Sequence, residues 1–209
     1  MIKLYDYHRS SAAYRLRIAL NLLGLEYQSE TVNLLKEEHK SAEHLSRHPQ
    51  GMVPVLEIDG QSLIQSLAIL DYLEETRGPA FVPSDPVARA RVRAVSHAIA
   101  VDIHPVLNLS VAKTATGLTE GGTGMRDWMH LFMPSRLAAV ETMLAPEPGP
   151  YCFGNKVSLA DICLMPQLYN AHRWEVDLSN LPRISAIEAE LCKLPEFAAA
   201  HPDTVGPPA

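Results

Sequence analysis

The residues that decide the fold are Arg9-Ser10-Ser11-Ala12-Ala13-Tyr14-Arg15-Leu16-Arg17-Ile18-Ala19-Leu20, which join a predicted strand to a predicted helix at two hydroxyl groups. Alternation over residues 2–7 predicts the strand. Apolar residues at helical spacing predict an amphipathic helix from about Ser11 to Leu23, ended by Gly24. A helix start has backbone N–H groups without partners and a partial positive charge. One serine could therefore cap the helix, or the junction could hold an anion such as a thiolate.

The first 77 residues alternate between strand and helix patterns. After the first helix, the sequence predicts a strand over 27–32, a surface helix over 36–47, a hairpin turning at Asp59-Gly60 and a helix beginning at Gln65-Ser66. The predicted order is βαβαββα. It corresponds to a parallel pair of strands continued by an antiparallel hairpin.

Proline-rich breaks near residues 78–86 predict a boundary between two domains, 1–80 and 87–209. The second domain shows little strand character. Its predicted elements are a long helix over 87–115, a glycine-rich loop over 117–124, a helix over 128–144 that Pro134 should kink or break, and a helical run over 184–194. The proline- and glycine-rich tail is expected to have no fixed fold.

A clear helix start lies at Val157-Ser158-Leu159-Ala160-Asp161-Ile162. Ser158 has the character of an N-cap residue, and Asp161 lies three residues on, where a capping-box partner is expected. The box accounts for both residue types. We therefore predict that Ser158 and Asp161 stabilise a buried helix start and take no part in chemistry.

Composition limits the possible functions. The 209 residues carry a net charge of −6 and are 47% hydrophobic, so no overall basic field favours nucleic acid or an anionic membrane. The cysteines, Cys152, Cys163 and Cys192, are widely spaced and form no C-x-x-C pair, which argues against a disulfide framework or a zinc knuckle. With no leader or membrane-spanning run in the sequence, we expect a reduced cytoplasmic protein that binds neither nucleic acid nor membrane.

With these features in place, the chain resembles the zeta class of cytosolic glutathione transferases, which includes maleylacetoacetate and maleylpyruvate isomerases. The resemblance covers nearly the whole length. Arginine followed by a serine pair points to the zeta class, whereas Val-Pro and Ser-x-Ala-Ile mark the superfamily broadly. The stretches that carry the resemblance are 9–11 with 15–20, 53–54, 65–69, 102–105, 108–111, 158–161 and 171–178.

The resemblance implies an α/β thioredoxin-like N-terminal domain followed by an all-α C-terminal domain, a homodimer, and glutathione bound between the domains. It implies that Pro54 follows a cis peptide bond, so that the backbone of Val53 pairs with the cysteinyl group of glutathione. Gln65 and Ser66, at a second helix start, suit the γ-glutamyl carboxylate, although Ser66 could also be a plain cap. His39 is expected to touch the glycyl carboxylate.

The sequence departs from the zeta pattern at Ala12, where the class usually has a cysteine. The reacting sulfur belongs to glutathione, so we expect the change to affect tuning more than mechanism. Ser10 or Ser11 must then hold the thiolate, and Ser11 is favoured because it is nearer the first helical turn. A helix start worth about 1 kcal/mol and a hydroxyl hydrogen bond worth about 1.5–3 kcal/mol would lower the thiol pKa until thiolate predominates at neutral pH.

The resemblance also implies residues on the substrate side. Arginine grips a carboxylate with two hydrogen bonds and stays charged, so Arg9 and Arg173 are the candidates for substrate binding and enolate stabilisation. Asp102 is expected to reach the γ-glutamyl amine of the neighbouring subunit, and His104 to have a role near the substrate. No metal site is predicted.

The reaction that follows is cis–trans isomerisation of a maleyl diketo acid by thiolate addition, bond rotation and elimination. Maleylacetoacetate is ranked above maleylpyruvate, because residues 108–111 read Asn-Leu-Ser-Val and lack an arginine associated with the maleylpyruvate enzymes. The alternatives are a conjugating transferase or peroxidase acting on electrophiles, and a binding protein that has kept the fold without the chemistry. Ala12 and Pro134 keep the last alternative open.

Overall fold

A computed structural model of the chain describes residues 1–78, 81–119 and 122–207. The chain forms two compact units, one made of residues 1–80 with 193–209 and the other of residues 81–192. The last 17 residues thus belong with the first unit. The division into independently folding domains at 1–80 and 87–209 stays a prediction.

The first unit contains a four-stranded sheet in the order β2-β1-β3-β4. β1 pairs in parallel with β2 and antiparallel with β3, which forms a hairpin with β4. Asp59 and Gly60, with φ of +52° and +75°, make the two-residue hairpin turn. The predicted strand order along the chain is confirmed. The strands are β1 (Ile2–Asp6), β2 (Tyr27–Thr31), β3 (Val55–Ile58) and β4 (Gln61–Ile64).

Three helices of this unit are α1 (Ser11–Leu22), α2 (Ala42–Arg47) and α3 (Ser66–Arg77). The predicted surface helix over 36–47 is wrong in two respects. A 3-10 turn, Glu38–Lys40, comes first, and Ser41 then caps a separate helix by accepting a hydrogen bond from the His44 amide at 3.1 Å. The helix is also partly internal, because His44 is buried.

Helix α1 is enclosed, with residues 13–20 all buried. An amphipathic helix would expose its arginines, but α1 contacts both α3 and the C-terminal helix α9 (Pro195–Ala200). Arg17, 1% exposed, donates to both carboxylate oxygens of Asp6 at 2.7 and 2.9 Å. Its other nitrogens donate to the carbonyls of His8 and Ala200, each at 2.9 Å. One side chain therefore links β1, the β1–α1 loop and the C-terminal segment.

The prediction that the tail has no fixed fold is wrong for residues 195–205. They form α9 (Pro195–Ala200) and α10 (Pro202–Val205). Phe197 and Ala200 are buried, and Asn21 of α1 donates to the Glu196 carbonyl at 2.9 Å. The tail is fixed by contacts with residues distant in sequence, which its composition does not reveal. Its last two residues lie outside the described part of the chain.

The second unit is helical. The predicted single helix over 87–115 is wrong, because α4 passes into a π-helical segment, Ala98–Ile103, and ends in a turn that contains Pro105. Proline has no N–H to continue a helix, and Asn108 caps a new one by accepting from the Ser110 amide at 3.0 Å. The helices are α4 (Pro86–His97), α5 (Leu109–Leu118), α6 (Met125–Leu144), α7 (Leu159–Arg173) and α8 (Pro182–Leu191).

Two local predictions for this unit have different outcomes. Pro134 does not break its helix, since α6 runs through it. The capping box at Ser158 is confirmed: Asp161 accepts hydrogen bonds from the Ser158 amide and hydroxyl at 2.8 and 2.7 Å. It also accepts from the Cys152 amide at 2.8 Å, and burial raises its pKa. Residues 120–121 of the predicted glycine-rich loop lie outside the described residues.

Within the described ranges, no helix is both long enough and apolar enough to cross a membrane.

Replacing Arg17 should destabilise the protein because it leaves the buried Asp6 carboxylate without its cation. We expect Arg17→Met to lower the free energy of unfolding by about 3–5 kcal/mol. Lys40→Met is the control, because the Lys40–Glu37 ion pair is largely exposed and should contribute less than about 1 kcal/mol. Urea unfolding measures both variants. Equal losses for the two variants would contradict this role for Arg17.

Candidate functional site

The two predicted serines have different environments at the start of α1. Ser10 is the N-cap, and its hydroxyl accepts a hydrogen bond from the Ala13 amide at 3.2 Å. The Ser11 hydroxyl has no hydrogen-bond partner among the described residues, nor do the amides of Ser11 and Ala12. Three donors therefore remain available at a positive helix end, which suits a bound anion. This division of roles favours Ser11 as the thiolate ligand.

The loop before α1 is fixed by its backbone. The Ser10 amide donates to the Tyr7 carbonyl at 2.7 Å, and Arg17 holds the His8 carbonyl. Arg9 lies between these two points with an exposed side chain, and it forms no ion pair among the described residues. Arg9 is thus held next to the serines and is open to a charged ligand.

A second helix start, that of α3, carries Gln65 and Ser66. Ser66 is buried and accepts a hydrogen bond from Nη1 of Arg15 at 3.1 Å. Arg15 was not among the residues predicted for the site. The structure shows that it lies 2% exposed on α1 and connects the two helix starts. A charged residue inside the otherwise apolar run of α1 was the available signal.

Gln65 has an unusual backbone, with φ of +69° and ψ of +109°. A non-glycine residue in this region is strained, and such strain is found most often at functional sites. The side-chain Nε2 of Gln65 donates to Oε1 of Gln50 at 2.8 Å, so the structure adds Gln50 as a neighbour of the predicted site residues. Nothing in the local sequence around Gln50 indicated this contact.

The peptide bond between Val53 and Pro54 is cis, as expected. Val53 lies two residues before β3, in the segment that follows Gln50. Gly51 in this segment has φ of +59°, and a Cβ there would lie 2.9 Å from the His39 carbonyl oxygen. Only glycine fits this conformation without a shift. The segment is thus packed closely against the 3-10 turn that carries His39.

His39 lies on that turn, half-buried, and its Nδ1 is buried without a hydrogen-bond partner among the described residues. Burial lowers its pKa, and Lys40 lowers it further. Its predicted contact with a glycyl carboxylate stays a prediction. His44 and His48 are both buried, and no group of three or more metal-binding side chains occurs in the described ranges.

The remaining predicted residues lie in the second unit. Asp102 is exposed in the π-helical segment, and His104 follows its last residue. Arg173 is the last residue of α7, with its guanidinium carbon 5.2 Å from the centre of the Trp174 ring. The Trp174 carbonyl is 2.7 Å from Nε2 of His130. The roles of Asp102, His104 and Arg173 stay predictions.

Comparison with known proteins agrees with this geometry. Residues 1–75 match the family model of the glutathione S-transferase N-terminal domain. Maleylacetoacetate isomerase of Rhizobium meliloti is 52% identical over 98% of this chain and 97% of its own length.

Two solved structures are similar over nearly the whole chain. The holo structure of a maleylpyruvate isomerase, described as a bacterial zeta-class glutathione transferase, has a TM-score of 0.90 and is 39% identical, with 97% of each chain covered. Maleylacetoacetate isomerase of Anaeromyxobacter dehalogenans, with glutathione bound in its active site, has a TM-score of 0.87 and is 40% identical; the match covers 98% of this chain and 96% of that one. The predicted fold, a thioredoxin-like domain followed by a helical one, is confirmed. The chain belongs to the maleylacetoacetate isomerase family, within the zeta class of glutathione transferases.

Proposed function

We propose that this protein is a glutathione-dependent enzyme that isomerises a maleyl diketo acid from cis to trans, with maleylacetoacetate as its substrate. The observation that carries the proposal is the different hydrogen bonding of the two serines at the start of α1. The Ser10 hydroxyl caps the helix. The Ser11 hydroxyl and the backbone amides of Ser11 and Ala12 have no hydrogen-bond partner among the described residues and can donate to an anion. In tyrosine and phenylalanine breakdown, this reaction would convert maleylacetoacetate to fumarylacetoacetate.

The first unit fits glutathione at two helix starts. The start of α1 supplies the donors for its sulfur, and the start of α3 supplies Ser66 with the buried charge of Arg15 beside it for the γ-glutamyl carboxylate. Gln65 would bind the same carboxylate, and the Val53 backbone would pair with the cysteinyl group of glutathione. The A. dehalogenans isomerase, which has glutathione bound in its active site, supports glutathione as the cofactor.

Bound glutathione would supply the nucleophile that adds to the double bond and leaves after rotation. The chain's own task is to keep that sulfur ionised. The Ser11 hydroxyl and the amides of Ser11 and Ala12 can donate to a thiolate, and hydrogen bonds to the charged form lower a pKa. Since Ala12 would contribute through its backbone N–H, the absence of a cysteine side chain there leaves this arrangement intact.

We assign the substrate carboxylates to arginines. Arg9 is exposed beside the serines, and Arg173 lies at the end of α7 in the second unit. A guanidinium holds a carboxylate through two hydrogen bonds and remains charged at any physiological pH.

We further propose a homodimer in which Asp102 reaches the glutathione amine of the partner subunit and His104 lies near the substrate. Free cysteines agree with a reducing, cytoplasmic location.

Maleylpyruvate is the second candidate substrate. The similar maleylpyruvate isomerase structure favours it, because its TM-score of 0.90 is slightly above the 0.87 of the A. dehalogenans maleylacetoacetate isomerase. Residues 108–111 and the 52% identity with the R. meliloti enzyme favour maleylacetoacetate.

The direct test is turnover of each substrate. We expect purified protein to consume maleylacetoacetate faster than maleylpyruvate, and only when glutathione is present, as measured by ultraviolet absorbance. Each substrate without glutathione, and glutathione with a halogenated electrophile, are the controls. Turnover of the electrophile alone would replace the isomerase proposal with a conjugating transferase.

The two serines should differ in catalysis. Ser11→Ala removes a hydrogen bond to a charged acceptor, worth about 1.5–3 kcal/mol, so kcat should fall roughly 10- to 100-fold while glutathione still binds. The ultraviolet absorbance of bound thiolate should show a higher thiol pKa. Ser10→Ala is the matched variant and should retain more activity. An unchanged kcat in Ser11→Ala would transfer the role to Ser10.

The two serine variants should also differ in stability, and here Ser10→Ala should be the more affected. Ser10→Ala removes the helix cap and should lower the free energy of unfolding by about 1 kcal/mol. Ser11→Ala breaks no hydrogen bond among the described residues and should change it by less than about 0.5 kcal/mol. Urea unfolding without glutathione measures both. Equal losses would show that the serines share the cap.

A further inference from the structure

We propose that His44 and His48 are positioning residues for glutathione, which hold residues 50–53 in the binding conformation, and that His48 does so only while its imidazole ring is neutral. Mild acidification would therefore weaken glutathione binding. The inference rests on the proposed function, in which the backbone of Val53, the last residue of this segment, pairs with glutathione. It concerns two side chains that the proposed chemistry does not use.

His44 holds one end of this segment. Its Nε2 lies 2.8 Å from the carbonyl oxygen of Met52, and a carbonyl can only accept, so Nε2 carries the proton. Nδ1 is buried and has no hydrogen-bond partner among the described residues.

His48 holds the other end. Its Nδ1 accepts a hydrogen bond from the Gln50 amide at 3.3 Å, so this nitrogen must be unprotonated. The Gly51 amide donates to the His48 carbonyl at 2.8 Å, which closes the turn. Protonation of Nδ1 would turn the acceptor into a donor that faces another donor. The turn can therefore keep its hydrogen bond to His48 only with a neutral ring.

The segment between these two contacts leads directly to the proposed glutathione groups. Gln50 accepts a hydrogen bond from Gln65 at 2.8 Å, and Met52 precedes Val53 at the cis peptide bond. Gly51 packs against the His39 carbonyl with no room for a Cβ. A change at either histidine would thus displace Gln50 or Val53 relative to α3.

Among the described residues, no carboxylate forms an ion pair with His44 or His48. Burial lowers the pKa of His48, and the neighbouring imidazole of His44 lowers it further. The carboxylates around α2 already have partners: Glu43 with Arg47, Glu37 with Lys40, Glu38 with the Asn33 amide and Glu57 with Tyr5. His39, on the turn before α2, also has a lowered pKa.

The direction of the pH effect follows from this lowered pKa. A released segment would expose His48, whose pKa would return to about 6.5, so the released form takes up a proton more readily than the packed form. Release is therefore favoured as the pH falls below about 6.5. Glutathione, which requires the packed segment, should then bind more weakly.

The test is calorimetric titration of the full-length protein between pH 7.5 and 5.5 with S-methylglutathione, whose sulfur carries no titratable proton, so that ionisation of the glutathione thiol does not contribute to the change in Kd. Wild-type Kd should rise at least about threefold over this range, mostly below the ordinary histidine pKa of about 6.5. The double variant His44→Gln with His48→Asn should bind as wild type does at pH 7.5, since each amide can replace the hydrogen bond without titrating. Its Kd should change less than about twofold on acidification, against the tenfold per pH unit that one proton could give.

Single variants without hydrogen-bonding groups provide the second arm. His48→Leu should raise Kd about fivefold at pH 7.5, the loss of one hydrogen bond, with kcat at saturating glutathione unchanged because Ser11 is not involved. Ser46→Ala is the matched control, because Ser46 lies on the exposed side of α2 and bonds only within its helix. It should leave Kd unchanged.

Hydrogen–deuterium exchange of the wild type keeps the proposal testable if His48→Leu folds poorly. After correction for intrinsic rates, amides 50–53 should exchange faster at pH 5.5 than at pH 7.5, while those of β1 should not. A Kd that rises equally in wild type and in the double variant, or unchanged exchange, overturns this inference and leaves the proposed function intact. Failure of the wild type to bind glutathione at pH 7.5 overturns both.

Discussion

The buried ion pair between Arg17 and Asp6 is the contact on which the first unit depends. Each charge is costly to bury alone, so the pair is stable only with both partners and with further hydrogen bonds to the guanidinium. Those bonds go to the His8 and Ala200 carbonyls. The strand, the loop before α1 and the C-terminal segment are therefore fixed together by one side chain. Because that loop carries the serines, the electrostatic requirement of Arg17 also sets the geometry of the candidate site.

At the start of α1, the two serine hydroxyl groups could both accept hydrogen bonds from the first backbone amides. Only one of these hydrogen bonds forms: Ser10 accepts from the Ala13 amide. The Ser11 hydroxyl and the first two amides of the helix have no partner among the described residues. If both serines capped the helix, fewer donors would remain for an anion. One serine thus stabilises the helix while its neighbour remains available to an anion. A single serine would suffice for the cap but could not serve both purposes.

The sequence predicted the features that depend on neighbouring residues. The Asp59-Gly60 turn and the Ser158–Asp161 box are defined by a few adjacent side chains, and both are present. The errors concern long-range contacts. The tail was predicted to lack structure because its composition cannot show that Arg17, about 180 residues earlier, binds Ala200. Arg15 was overlooked for the same reason, since its partner Ser66 belongs to another helix.

His44 and His48 show how one spacing can serve two purposes. Histidines at i and i+4 share a helix face, as metal ligands do, but here one nitrogen of each ring meets a backbone group of the following turn. A metal ligand needs its unprotonated nitrogen free, whereas Nδ1 of His48 is already the acceptor for the Gln50 amide. The hydrogen bonds therefore assign these rings to holding the backbone. The contribution of His48 then depends on its protonation state rather than on metal supply, and burial, which lowers its pKa, keeps the neutral ring dominant near neutral pH.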